Sequence, residues 1–503
     1  MKRTVLVLTV LAALLAGAAL LVGAAPAASA APPPVSFGWP TYYATGDSYG
    51  IVAGDFTGDG RMDILTDVNG PFGYSLLVGD GKGGFAAPVR TNLPSDPGAN
   101  RMAAADFNRD NKLDAVMSLS DGHFAVLLGN GNGTFRAPNM LDASAPASDV
   151  LPCKLNGDDK LDLVGTCAAS YEQIWSVPIF MGAGAGGFNP VSWLGTLRGP
   201  HSVTVADFDG DGDNDLVVGT WGTVNTSVFM GAVTIYRNNG SGAFAAGATV
   251  LEAVDPYALG TADFNGDKHP DLVVASSNTD PSNSHGIVQV LLGDGTGAFP
   301  TSMRRGPYDL QGASPMDVLL ADFNRDGELD IAVANLNGYG DDLEILLGNG
   351  DGALTGPQGY AVDNLLVQGA VADFNADGKP DIAVSNPDLD GIRVLLNTTT
   401  VRDTTRPRTY APSACRVKRG KKAALKYKVT DPDDAAVTVT IKIRNAKGKL
   451  MRAFVLKRSA TGTLLTKRFT CTLARGTYRF SVYAKDAAGN LQSRVGSNTL
   501  TVK

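Results

Sequence analysis

Residues 207–215 read DFDGDGDND, five aspartates in nine positions. Carboxylates this close repel one another unless a cation holds them. Hard divalent cations take oxygen ligands, and a loop offering side-chain oxygens at positions 1, 3, 5 and 9 and a backbone carbonyl at 7 wraps calcium. Asp207, Asp209, Asp211 and Asp215 stand at those four positions, Asp213 supplies the carbonyl, and Gly212 at position 6 permits the sharp turn. The flanks SVTVA and LVVGT are rich in Val and read as strands, which excludes the helix–loop–helix of an EF-hand.

The loop recurs in register. Copies start at Asp55 (DFTGDGRMD), Asp106 (DFNRDNKLD), Lys154 (KLNGDDKLD), Asp207, Asp263 (DFNGDKHPD), Asp322 (DFNRDGELD) and Asp373 (DFNADGKPD), 48 to 59 residues apart. That is the length of one four-stranded propeller blade. The candidate ligand side chains are Asp55, Thr57, Asp59 and Asp63; Asp106, Asn108, Asp110 and Asp114; Asp207, Asp209, Asp211 and Asp215; Asp263, Asn265, Asp267 and Asp271; Asp322, Asn324, Asp326 and Asp330; and Asp373, Asn375, Asp377 and Asp381. Copy three begins with Lys154, whose ammonium is expected to stand where the ion would and to pair with Asp158 and Asp162, leaving up to six Ca2+ sites. Asn111 and Lys268 occupy the glycine position of copies two and five, and Lys268 is expected to be strained there.

A second, Gly-rich motif ends in an apolar residue partway through each repeat: GDGKGGF (79–85), GNGNGTF (129–135), GAGAGGF (182–188), NNGSGAF (238–244), GDGTGAF (293–299) and GNGDGAL (348–354). Each follows an apolar strand, so each repeat reads as four strands with the Asp loop and the Gly turn on one rim. The seventh repeat stops after RVLLN (393–397), and the missing last strand has its pattern in FGWPTYYATG (37–46). The expected fold is all-β: a seven-bladed β-propeller over 31–398, closed by an N-terminal strand that removes the open sheet edge.

These motifs resemble the FG-GAP/VCBS repeats, calcium-binding propellers also found in integrin α subunits, over about residues 35–397. The resemblance implies Asp loops on the lower face, ligands on the upper one, and a secreted calcium-binding protein of binding or adhesion type. The expected ligand is a glycan, a cell-wall polymer or a protein. Upper-rim connections diverge, and recognition sits where a rigid scaffold diverges. Six positions before each Asp loop stand Tyr49, Asn100, Ser148, His201, Tyr257, Met316 and Val367; the longer connections add Tyr171, Trp175, Trp221, His285 and Tyr339. Tyr49, Tyr171, Trp175, His201, Trp221, Tyr257 and Tyr339 are the ligand candidates, as flat rings with polar handles. The four histidines match no nucleophile–base or zinc spacing. The alternative reading is a polysaccharide-degrading lyase or hydrolase built on a calcium propeller, its acid and base a carboxylate pair on the upper rim.

Residues 1–30 have a basic start, a long apolar stretch and Ala28-Ser29-Ala30, the form of a secretory signal peptide. Beyond it no segment is apolar enough to cross a membrane, so the expected location is extracellular, with wall association through the basic end of the chain. Residues 401–503 hold 24 Lys and Arg against five Asp and Glu, whereas 31–400 hold 17 against 45. A linker over 399–412 leads to a basic module over 413–503, where alternating AVTVTIKIR and TYRFSVYA predict a small β-sandwich resembling bacterial immunoglobulin-like modules. Its charge suits an anionic envelope polymer; no specific nucleic acid is expected. Cys415 and Cys471 both point to its core and are expected to be bridged in an oxidising compartment. Cys153 and Cys167 bracket the third Asp loop, and hairpin register places Cys153 nearer residue 163 than its fellow cysteine.

Overall fold

In the computed structural model the described residues are 34–69, 73–93, 98–168, 175–196, 199–221, 231–245, 247–277, 285–336, 342–363, 365–400, 407–431, 436–485 and 491–503. The expected signal segment and the candidates Tyr171 and Tyr339 lie outside them. The chain is all-β and divides into two units, Met1–Thr399 and Thr400–Lys503. Among the described residues the helical turns are Thr301–Met303 and Pro387–Leu389, and no helix is long and apolar enough to cross a membrane.

The first unit is a series of antiparallel sheets, one per repeat. Ile51–Gly54, Asp63–Val68, Gly73–Leu77 and Val89–Asn92 form the first; Ala99–Ala105, Asp114–Leu119, His123–Leu127 and Asn139–Asp142 the second. Ala147–Cys153, Asp162–Ala168, Trp175–Phe180 and Ser192–Gly195 follow. Repeats four and five share the long strand Ala248–Ala262 and so run together as one seven-stranded sheet. Pro315–Ala321, Asp330–Asn335, Leu343–Gly348 and Leu354–Tyr360 make the sheet of repeat six.

The two middle strands of a sheet are covered on both faces, as in Asp63–Val68 and Gly73–Leu77, whereas the last strand, Val89–Asn92, is exposed. This is why the middle strands read as continuous apolar runs instead of alternating. The first strands carry small residues because neighbouring sheets approach closely there: a Cβ on Gly54 would lie 2.3 Å from Leu113 Cδ1 of the next repeat, and one on Gly369 2.5 Å from Leu319 Cδ1. Hydrophobic cores lie between sheets consecutive in the chain, such as Val52, Leu65 and Leu76 against Ala115, Met117 and Ala125. One core instead joins Ile51, Ile64 and Leu77 of the first sheet to Phe374, Ala383, Ile392 and Val394 of the last.

The last sheet is completed from the start of the chain. Gly369–Ala372, Asp381–Asn386 and Gly391–Leu395 are joined by Thr41–Ala44, with Thr41 opposite Val394 and Ala44 opposite Gly391. The pairing extends to Phe37 opposite Asn397, and Thr398 N–H donates to Ser36 O at 2.8 Å. Phe37 also takes the place of the turn phenylalanine that repeat seven lacks, meeting Phe323 edge-on at 6.2 Å.

The second unit has a three-stranded sheet, Arg408–Tyr410, Lys422–Thr430 and Leu464–Thr470, and a five-stranded one. The latter orders Cys415–Val417, Gly496–Val502, Gly476–Lys485, Ala436–Asn445 and Leu450–Ala460. Leu425, Val429 and Phe469 of one sheet share a buried core with Val439, Ile441, Phe480 and Val482 of the other. Arg408–Tyr410, placed in the linker by the sequence, belongs to this unit because it pairs with Lys422–Thr430. Cys415 and Cys471 share the core as free thiols. Cys153 pairs with Asp162 and Cys167 with Ala147, at opposite ends of one hairpin and in different cores, so no bridge joins those two.

Removing residues 34–46 should bare the edge of Gly391–Leu395 and uncover Phe323. Light scattering should then report association at concentrations where the full chain is monodisperse. A monodisperse truncated chain with an unaltered melt would contradict the role given to this strand.

Candidate functional site

Position 9 of every Asp loop is fully buried: Asp63, Asp114, Asp162, Asp215, Asp271, Asp330 and Asp381. Each carboxylate accepts from a backbone amide of its own Asp loop and from one at the end of the third strand of its repeat, Asp63 and Asp330 taking a second amide from the loop. Asp114 accepts from Phe107 N–H at 2.8 Å and from Gly129 N–H, the first residue of the Gly turn, at 2.7 Å. Asp215 does the same with Phe208 and Asn238, and Asp381 with Phe374 and Asn397. Burial raises the carboxyl pKa in all seven, against the lowering effect of the amide bonds. Asp215, Asp271 and Asp381 are pushed up to about 6 and Asp330 to about 7. Position 9, read from the sequence as a ligand, is therefore a pin between the two loops, and keeps that task whether or not it also faces an ion.

The loops also latch one repeat to the next. Gly133 N–H donates to Phe56 O at 2.9 Å, Gly297 to Phe208 O at 2.8 Å, Gly352 to Phe264 O at 3.0 Å and Gly83 to Phe374 O at 3.1 Å. Above these bonds the turn phenylalanine meets the loop phenylalanine of the preceding repeat: Phe135 on Phe56 at 5.8 Å, Phe188 on Phe107 at 6.0 Å, Phe299 on Phe208 at 5.6 Å and Phe85 on Phe374 at 5.4 Å.

Within a loop, the position-1 carboxylate organises the turn. Asp207 accepts from Gly210, Asp211 and Gly212 N–H at 2.7, 3.1 and 3.0 Å, and Asp55 from Gly58, Asp59 and Gly60 in the same way. The turn requires positive φ at position 6, met by Gly212 (96°), Asn111 (62°) and Lys268 (72°), as the spacing implies for the last two. It also requires positive φ at position 4, where Arg109, Arg325 and Ala376 adopt 63°, 58° and 57°. Glycine fills position 4 in four of the copies, at Gly58, Gly157, Gly210 and Gly266, so the residue types carried this signal and the reading passed over it.

Copy four has the strongest cation geometry. Oxygens of Asp207, Asp209 and Asp211 all lie within 4.8 Å of one another, and Asp209 Oδ1 is buried without a hydrogen-bond partner. An oxygen-only donor set with an unsatisfied carboxylate oxygen fits a hard divalent ion. In two of the loops with Asn at position 3, its amide ties positions 3 and 5 together instead: Asn265 donates to Asp267 and Asn324 to Asp326, both at 2.9 Å. Basic side chains at position 7 also pair with position 5, Arg61 with Asp59, Lys379 with Asp377 at 3.1 Å and Lys160 with Asp158 at 2.9 Å. The sequence displays these residues two places after the aspartate, but a metal-centred reading passes over them. Lys154 pairs with Asp159 at 3.4 Å, not with Asp158 or Asp162, because Lys160 holds the former and the amides of Leu155 and Gly182 hold the latter.

At the other ends of the strands, three of the aromatic candidates come together. His201 stacks on Trp221 at 4.2 Å and 17°, and Tyr257 meets both edge-on at 5.5 and 5.3 Å. Trp221 remains 39% exposed. The imidazole Nδ1 lies 3.2 Å from Tyr257 O, and burial together with the charge of Arg101 lowers its pKa to about 4. Tyr49 sits apart, its amide on Asp67 and its carbonyl accepting from Ser385, and Trp175 opens a strand of repeat three.

One residue beyond these ring positions lies a polar network that the sequence did not disclose. Arg101 donates to Met316 O and stands 3.4 Å from Asp317, which accepts from Gly369 N–H. Asp149 accepts from Val203 N–H, and Gln368 bonds the amides of Ile51 and Met102. Residues of six repeats thus converge through side chains far apart in sequence.

Comparisons with known proteins agree with this geometry. The model of the FG-GAP-like repeat matches residues 154–218, 224–274, 263–333 and 322–384. Integrin alpha-V of Gallus gallus is 28% identical over 207 residues, 37% of this chain and 19% of that protein, so the chain spans about a fifth of its relative's length. The crystal structure of a tetra-tandem repeat in the extending region of a large adhesion protein covers 90% of this chain and 98% of its own, at 14% identity. Its TM-score of 0.20 is too slight to argue from.

Two outcomes test this arrangement. Asp162→Ala strands the amides of Leu155 and Gly182 in a loop that has lost its first carboxylate, so the denaturation midpoint should fall by the equivalent of about 2–4 kcal/mol whether or not calcium is present. The unfolded His201 imidazole accepts a proton at its ordinary pKa while the folded one resists until about 4. Stability should therefore be lost as pH falls from about 6.5 toward 4, and His201→Phe should lack that part of the acid sensitivity. An identical pH profile in the variant would contradict it. Four stretches of this chain are accordingly FG-GAP-like repeats, and an integrin-like FG-GAP fold is supported for the unit that contains them.

Proposed function

We propose that the first unit is a seven-bladed calcium-binding propeller, closed by its N-terminal strand, that serves as an extracellular binding or adhesion protein. The observation that carries this reading is the repeated latch of Gly-turn amide and phenylalanine onto the preceding Asp loop, which runs from the last repeat back to the first through Gly83 and Phe85 on Phe374. The FG-GAP matches and the likeness to an integrin α chain support the same reading. Asp207, Asp209 and Asp211 would hold the best-formed ion, and the five other acid-led loops would hold theirs with weaker sets. The ion would supply positive charge that relieves carboxylate repulsion.

Ligands are assigned to the rim opposite the Asp loops, at His201, Trp221 and Tyr257, where clustered flat faces suit a sugar ring or an anchoring side chain. The expected class is a glycan, a cell-wall polymer or a protein. The basic second unit, read as an immunoglobulin-like sandwich, would tether the protein to an anionic envelope polymer. Arg444 lies directly across from Arg479 beside a groove of about 610 Å3 that Ser481 and Ser497 also line. A secreted chain would bridge Cys415 to Cys471, which the intact mass without reductant reads directly.

A screen of glycans and wall polymers, with and without calcium, tests the proposal. Calcium should raise the melting temperature and chelation lower it. Trp221→Ala should weaken a captured ligand by about 1–3 kcal/mol while the calcium-bound melt stays put. Product formation would favour the polysaccharide-degrading enzyme instead, and an unchanged melt in chelator would remove calcium from the reading.

A further inference from the structure

We infer that Asp47 and Asp67 form a separate divalent-cation site where the first sheet meets the last, away from the Asp loops. Asp67 is 0% exposed. Its Oδ1 accepts from Tyr49 N–H at 2.9 Å and Gly50 N–H at 2.6 Å, but its buried Oδ2 has no hydrogen-bond partner. Asp47 Oδ1 is likewise buried and unpartnered. The charge of Asp47 acts on Asp67, and the turn that carries them is closed by Asn69 N–H, which donates to Asp47 O at 2.8 Å, and by Ser48 Oγ, which donates to Asp67 O at 2.8 Å.

More negative charge gathers at the same place. The turn after Asp381–Asn386 brings Asp390 O within 3.0 Å of Gly46 N–H, and the charges of Asp388 and Asp390 both act on Asp47. A cavity of about 660 Å3 opens here, lined by Asp47, Asn69, Asp390 and Arg90. Arg90 is the basic residue of that lining, set against the carboxylates of Asp47 and Asp390. Buried charge must be paired, and two inward carboxylate oxygens without a donor call for a cation or a shared proton. The donor set is oxygen throughout, which selects a hard ion such as Ca2+ over zinc or copper.

The site is independent of the loop ions and can be tested apart from them. Full-length protein is equilibrated with calcium, dialysed and analysed for bound metal per chain. Asp67→Asn should lose one ion while keeping the fold, because its carbonyl still accepts from Tyr49 and Gly50 and its new amide can donate to Asp47. Asp47→Asn should lose the same ion and carries the test if the first variant does not fold. Asp211→Asn should lose a different one, so the double variant with Asp67→Asn loses two. Terbium emission sensitised through Tyr49 should fall in Tyr49→Phe and Asp67→Asn and persist in Asp211→Asn. Unchanged stoichiometry in both Asp67→Asn and Asp47→Asn, with a flattened pH dependence of stability, would mean that the pair holds a proton and would overturn the site. Loss of metal from Asp67→Asn alongside none from Asp211→Asn would keep this site and reject the loops.

Discussion

A carboxylate sealed from water between two backbone amides sets the geometry of the first unit. In repeat after repeat the ninth residue of the Asp loop receives one N–H from its own loop and one from the Gly turn, so two hairpin connections are held at one distance. That distance decides where the loop phenylalanine and the turn phenylalanine emerge, and hence how the next sheet docks. Were the carboxylate absent, two buried amides per repeat would lack partners, a cost no surface ion pair would offset.

Copy three shows that the pin and the proposed ion are separable. Lys154 stands where other copies begin with Asp, yet Asp162 still accepts from Leu155 and Gly182 and the sheet is complete. The pin is thus the fixed part of the repeat, and the position-1, 3 and 5 oxygens are the part free to vary. A protein built this way can lose or weaken individual ions without losing its sheets.

What could be read directly from the chain was whatever had a local period. The Asp loops, the Gly turns and the strand borrowed from residues 37–46 all announce themselves by spacing, and Asn111 and Lys268 stand out because glycine is the rule at their position. The Lys154 partner was misplaced because the choice between Asp158, Asp159 and Asp162 depends on which carboxylates the backbone has already taken. Arg101, Asp149, Asp317 and Gln368 were passed over for a different reason: their partners lie up to 317 residues away, and no short-range pattern encodes such a meeting. Of the aromatic candidates, His201, Trp221 and Tyr257 meet only because repeats four and five are adjacent in space.

The borrowed strand has a consequence for the order of assembly. Ser36 and Thr398 bond across 362 residues, so this N-terminal strand has no partner until the last repeat emerges. At synthesis rates of about 5–20 residues per second that interval is roughly 20–70 s. Throughout it the N-terminal strand is unpaired, near its end the uncovered Phe323 joins it on the nascent chain, and a second nascent chain at that stage offers the same two surfaces. A domain swap through residues 36–44 is therefore the misassembly this topology would favour, promoted by crowded translation and suppressed by anything that shields the N-terminal strand until synthesis ends.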